Sequence, residues 1–156
     1  MKKINIKTIY LVAVISIGLI CLAIGSTYAM FTTSAEINNP ITISSNLTSN
    51  DDTMETFEVE VSPSATVTKT INISSGTVSN VNYSVWYIND ISNIDIGVSS
   101  TSYTTAGTIS NANTTVTTKI SIRNNSSTTK TVTLGVALSK NSIVLASNMS
   151  LVPQKT

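Results

Sequence analysis

Hydrophobic positions along this chain follow two regimes. From Thr8 to Ile24 the apolar run carries no charge; Lys2, Lys3 and Lys7 precede it, and no charged residue occurs between Lys7 and Glu36. Past Phe31 the continuous run gives way to alternation, with Val, Ile, Thr and Tyr at every second place and Ser, Asn and Gly around them. A period of two predicts strands over Ile41–Leu47, Thr56–Val61, Thr66–Ser74, Val81–Ile88, Asp95–Ser99, Thr115–Arg123, Thr131–Leu138 and Ile143–Ala146. No segment after residue 35 sustains a 3.6-residue period, so helix is expected only in the N-terminal apolar run.

Eight short strands joined by polar turns predict an all-β fold, a two-sheet sandwich, preceded by an N-terminal apolar helix. An internal repeat adds detail, because Thr66-Val-Thr-Lys-Thr-Ile-Asn-Ile recurs 49 residues later as Thr115-Val-Thr-Thr-Lys-Ile-Ser-Ile. In the same register Val67, Ile71 and Ile73 match Val116, Ile120 and Ile122, while Tyr83, Val85 and Tyr87 match Val132, Leu134 and Val136. Each set lies on one face of a strand, so these residues are the expected core. Each copy alone is too small to bury both faces, so one sandwich with repeated strand pairs is expected, not two domains. The chain then divides into a signal peptide or membrane anchor at 1–29, an extension with the first strand at 30–50 and a sandwich domain at 51–156.

The N-terminal regime is an address. A cationic head, an apolar core and small residues ending at Ala29, with Thr27 at the minus-three position, have the anatomy of a secretory signal peptide. The same run also fits an uncleaved anchor, since a span needs about 20 largely apolar residues. In both cases the residues beyond about 30 lie outside the cytoplasmic membrane, extracellular or at the cell surface. Cys21, the only cysteine, lies inside the run and forms no bridge within the chain; Ile20 before it argues against a lipid-attachment site.

Charge narrows the partners. Of nine Lys and Arg, three precede the apolar run, so six remain against eight Asp and Glu beyond it. A net charge near minus two offers no basic patch, which argues against nucleic acid. The chain has no histidine, and without an exported cysteine the usual zinc sets and the Ser-His-Asp and Cys-His arrangements are absent. Lys69, Lys119, Lys130 and Lys140 read as solvated strand edges and turns, no motif singles out a Ser-Lys pair, and the chain is expected to be neither an enzyme nor a cofactor binder.

Two features invite a binding reading. Asp51, Asp52 and Glu55, with Glu58 and Glu60 beyond them, are candidate oxygen ligands for calcium, yet they lack the Asp-x-Asp-x-Asp-Gly order and read instead as a turn followed by a strand's solvent face. Trp86, the only tryptophan, is a candidate platform for stacking on sugar rings. Strand phase places it opposite Tyr83, Val85 and Tyr87, and the repeat aligns it with Gly135, so it is either exposed or under a loop. Several Asn-x-Ser/Thr triplets, Asn124 among them, follow from composition and are assigned no glycan.

Gly25-Ser-Thr-Tyr-Ala-Met-Phe31, an alanine shortly after it, and Ile43-Ser-Ser-Asn-Leu47 resemble the start of TasA and camelysin-type proteins. The likeness continues through Val61-Ser-Pro-Ser-Ala-Thr-Val-Thr-Lys-Thr-Ile-Asn-Ile-Ser-Ser-Gly76 and covers roughly residues 8–88. Ser64 stands where that family has the glycine of a Pro-Gly turn, and Ser74 or Ser75 where it has an asparagine before Gly76. The resemblance implies a jelly-roll or immunoglobulin-like sandwich in an exported biofilm-matrix or surface protein of Gram-positive bacteria, processed by the SipW type of signal peptidase. Two functions are therefore expected. The first is a structural subunit that associates with itself or with other surface proteins, Glu36–Leu47 adding to a neighbour's sheet edge after cleavage. The alternative is a membrane-anchored extracellular binding or adhesion module.

Overall fold

The computed structural model describes residues 35–44 and 52–155. The expected apolar helix, Cys21, the cleavage residues Thr27 and Ala29, and Asp51 lie outside the described residues. Nine strands follow one another: β1 (Ala35–Ser44), β2 (Thr53–Val61), β3 (Thr66–Ser74), β4 (Val81–Ile88), β5 (Ile94–Val98), β6 (Ala106–Ile109), β7 (Thr115–Asn124), β8 (Lys130–Ser139) and β9 (Met149–Leu151). One sheet has the order β1-β3-β7-β5, the other β2-β8-β4-β6 with β9 also beside β4. The architecture is thus all-β, two sheets packed together. Every connection from β1 to β8 crosses from one sheet to the other.

The repeated apolar sets form the core. Val67, Ile71 and Ile73 of β3 and Ile120 and Ile122 of β7 are buried against Tyr83 and Val85 of β4 and Val132, Leu134 and Val136 of β8. Val116 and Tyr87 are half-buried at its border. Each fully buried aliphatic side chain stabilises the fold by about 2 kcal/mol through removal from water. The alternation in sequence therefore records which face of each strand meets the other sheet.

The repeat is also a symmetry. β3 pairs antiparallel with its own copy β7, and β4 with its copy β8, so a pseudo-two-fold axis runs through both sheets. The axis is located by the residues that face their own repeat partners, Thr70 opposite Lys119 in one sheet and Trp86 opposite Gly135 in the other. On the flanks β2 pairs with β8 as β6 pairs with β4, both antiparallel.

Symmetry extends to two buried polar ties. The amide of Ser75, just past β3, donates to Thr114 O at 2.9 Å, and its hydroxyl donates to Asn111 O at 2.8 Å. Asn124, at the matching place in β7, donates its amide to Ala65 O at 2.9 Å. Its side-chain nitrogen reaches Val61 O at 2.9 Å and Thr128 O at 2.8 Å, and Ser126 Oγ donates to its Oδ1 at 2.7 Å. Asn124 is fully buried, so removing its side chain strands carbonyls that water cannot reach. Asn124→Ala is expected to cost about 3 kcal/mol, read as a lower urea midpoint at unchanged slope.

The turn joining β2 to β3 carries a local conflict. Ala65 N donates to Ser62 O at 3.2 Å, closing a four-residue turn with Pro63 second and Ser64 third. Ser64 has φ of 55°, the left-handed region that a Pro-x turn of this kind normally fills with glycine. Ser64→Gly is expected to raise stability by roughly 1 kcal/mol, visible as a higher melting temperature.

The C-terminal residues close the side of the sandwich where β4 and β5 lie near each other. Val152 N donates to Val85 O at 3.0 Å in one sheet, and Pro153 O accepts from Val98 N at 3.1 Å in the other. The buried Thr105 hydroxyl donates to Val152 O at 2.9 Å, so the tail is tied to both sheets around a buried valine.

The strands depart from the sequence pattern at β6, β9, Ile143–Ala146 and β1; β9, with three residues, is too short for alternation to show. β6 was absent from the sequence pattern because Ala106-Gly-Thr-Ile carries one large apolar residue and too few places for alternation to show. Ile143–Ala146 reads as a strand but forms none, because that segment covers a sheet face and pairs with no ladder. The first strand also lies earlier than Ile41–Leu47, at Ala35–Ser44, and belongs to a sheet of the sandwich.

Candidate functional site

β1 is the element that departs from the symmetry. It pairs with β3 in parallel, the only parallel pair among the described strands, whereas β5 at the opposite edge pairs antiparallel with β7. Its ladder runs from Ala35 opposite Val67 to Ser44 opposite Ser74, with a shift between Ile37 and Ile41. Past that shift Ile41 is half-buried and Ile43 is 1% exposed, in line with Ile71 and Ile73. One edge strand thus supplies a core side chain and closes the hydrogen-bonding edge of β3. Its own outer edge has no partner strand among the described residues.

The expected pairing of this segment with a neighbour's sheet edge therefore has a counterpart within the chain, on β3. Its seat is defined by an apolar phase and an open ladder, both of which recognise backbone and alternation more than particular side chains.

Trp86 is 0% exposed, which removes the sugar-stacking platform expected of it. It lies on the outer face of the second sheet, over Gly135, where an added Cβ would stand 2.2 Å from its Cζ2. The chain after β8 crosses that face: Asn82 Nδ2 donates to Asn141 O at 2.9 Å at one end of β4, and Asn89 N donates to Asn148 O at 3.0 Å beyond the other. The indole Nε1 has no hydrogen-bond partner among the described residues. Of the two readings of Trp86, the one that places it under a loop describes the structure.

The acidic candidates do not converge. Asp52 accepts a hydrogen bond from the Ser139 hydroxyl, and Glu55, Glu58 and Glu60 are exposed along β2. Glu58 and Glu60 are out of phase with the buried Val59 and Val61 and face solvent. Among the described residues no three His, Cys, Asp or Glu side chains group as metal ligands. Lys140 Nζ donates to Ser79 O at 2.7 Å, a turn contact. Lys69 shares the inward phase of Val67 and Ile71 and is half-buried, not on a solvated face.

Alternation shows neither the seating of Trp86 over Gly135 nor the buried ties of Asn124. For Trp86 a signal existed, since the repeat placed glycine at the equivalent position. For Asn124 none did, because its triplet is common in a chain of this composition. No family model, no curated protein and no solved structure matches this chain.

Proposed function

We propose that this chain is an exported structural subunit of a cell-surface or biofilm-matrix assembly, polymerising by strand addition after its N-terminal segment is cut near Ala29. The observation that carries the proposal is β1. It follows directly on the apolar segment read as an export signal, sits at a sheet edge, and fills the core through Ile43 while breaking the symmetry of the fold. A seat built from an open ladder and an apolar groove accepts the same ten residues from another copy as well as from its own chain. Release of the N-terminus frees β1 to leave one seat and enter the next.

The fold supports a jelly-roll reading over an immunoglobulin-like one, because no hairpin within a sheet joins any two strands from β1 to β8. The resemblance of Gly25–Phe31 and Val61–Gly76 to TasA and camelysin-type proteins supports export, a SipW type of peptidase and a matrix role. Partners are then further copies of this chain or other surface proteins, and neither catalysis nor a cofactor is part of the function.

Processing supplies the test. Protein with its N-terminus cut near Ala29, as shown by intact mass, is expected to sediment as multimers, and uncut protein as single copies. Cut protein that stays monomeric at high concentration contradicts the proposal. Recovery of only uncut chains, in the membrane fraction, supports the anchored binding module in its place.

A further inference from the structure

The outer face of the β1-β3-β7-β5 sheet is rich in hydroxyls, with Asn72 and Lys119 among them, and carries a dent. Thr66, Thr68 and Thr70 of β3 and Thr115, Thr117 and Ser121 of β7 alternate with buried residues and face outward. On the β5 side Gly97, opposite Ser121, has no side chain to continue the surface. A depression of about 350 Å³ opens there, lined by Thr66, Asp95, Gly97, Ser121 and Arg123 among others.

Arg123 is the only arginine of the chain, and it stands between Thr66 on one neighbouring strand and Asp95 on the other. Arginine and aspartate directly opposite each other normally pair. Here Asp95 Oδ2 instead accepts from Asn125 Nδ2 at 2.8 Å, and Arg123 is exposed with no hydrogen bond or ion pair to any described residue. A planar cationic fork is therefore left at the rim of a dent whose lining mixes polar groups with Ile96 and Val98, with two hydroxyls beside it.

We infer that this dent binds the carboxylate-bearing ring of an acidic saccharide. The Arg123 guanidinium matches a carboxylate with two parallel hydrogen bonds, and Thr66 and Ser121 add hydroxyl donors. Asp95 sets the class further. Its negative charge disfavours a doubly charged phosphate and accepts hydrogen bonds from ring hydroxyls next to the carboxylate. The missing side chain at Gly97 leaves room for the ring, and the dent is open to solvent. The site does not depend on the proposed assembly, since it lies on a sheet face and uses no residue of β1.

A sole arginine makes the test direct, because its side-chain Nε–H gives one cross-peak that needs no assignment. The full chain in detergent, at mildly acidic pH, is titrated with tri-galacturonate. The peak is expected to move saturably, to stay still with neutral galactotriose, and to respond at least about tenfold more weakly to inorganic phosphate. Gly97→Thr keeps Arg123 and fills the dent; an added Cβ there meets only Pro153 O, at an ordinary 3.4 Å. This variant is expected to keep the spectrum of a folded protein and to lose the response. No movement of the peak with tri-galacturonate, an equal response to phosphate, or unchanged binding by Gly97→Thr overturns the inference.

Discussion

A single methyl group at residue 135 is expected to remove a large part of the stability of this fold. The Cβ of Gly135→Ala would stand 2.2 Å from Trp86 Cζ2, 2.4 Å from Cε2 and 2.8 Å from Cη2. Contacts that short do not persist, so the indole must leave its seat or the two central strands must part. Trp86 is 0% exposed, and losing the packing of a buried tryptophan costs about 3–5 kcal/mol. Domains of this size are stable by about 5–15 kcal/mol in total, so a large part of that margin goes.

The clash also predicts a coupling. Trp86→Ala alone is expected to cost about 3–4 kcal/mol by leaving a cavity under the 140–148 segment. In the double variant the added methyl meets no indole, so the combined loss is expected to fall short of the sum by about 2–3 kcal/mol. Urea unfolding of the parent chain, both single variants and the double variant measures this, and simple additivity contradicts the contact. The pair lies on the pseudo-two-fold axis, where equivalent residues face one another, so a large side chain on one strand requires a small one on its copy.

The second large effect concerns β1. A chain lacking residues 35–44 loses the buried Ile43 and leaves the β3 ladder from Val67 to Ser74 without its partner. It is expected to melt well below the intact chain and to form no multimers. A synthetic peptide of those ten residues is expected to bind the vacant seat and raise the melting temperature. At a hundredfold excess over its dissociation constant the gain is about 2.7 kcal/mol. A peptide with Ile41 and Ile43 replaced by Asp has the same backbone but cannot fill the core, and is expected to do nothing. Equal stabilisation by both peptides contradicts the seat as described.

Much of this architecture is legible from alternation alone. β3 and β4 lie where the period of two places them, Thr66–Ser74 and Val81–Ile88, because both faces of those strands differ sharply in polarity. β6 is invisible for the opposite reason, as Ala106 and Gly107 give neither face a character. Ile143–Ala146 shows the limit of propensity, since its apolar residues form no strand where no ladder receives them, and Val144 is 85% exposed. Alternation leaves Trp86 either exposed or under a loop, because the segment that buries it lies more than fifty residues along the chain. The repeat was legible, but its meaning was not: that each strand pairs with its own copy depends on sheet order, which the linear pattern does not carry. The orientation of β1 was hidden for the same reason, because parallel and antiparallel neighbours present the same alternation.

The central claim, that β1 passes from one copy to the next, is tested most directly by a disulfide across its ladder. Thr42 lies opposite Asn72 in the register of β1 and β3. Adjacent strands lie about 4.8 Å apart, within the Cα separations that disulfides span. The chain with Cys21→Ser, Thr42→Cys and Asn72→Cys is allowed to assemble after N-terminal processing, oxidised, and run denatured without reductant. The account predicts a ladder of covalent multimers that collapses on reduction. Only internally bonded single chains, at every concentration of processed protein, would show that β1 stays in its own subunit.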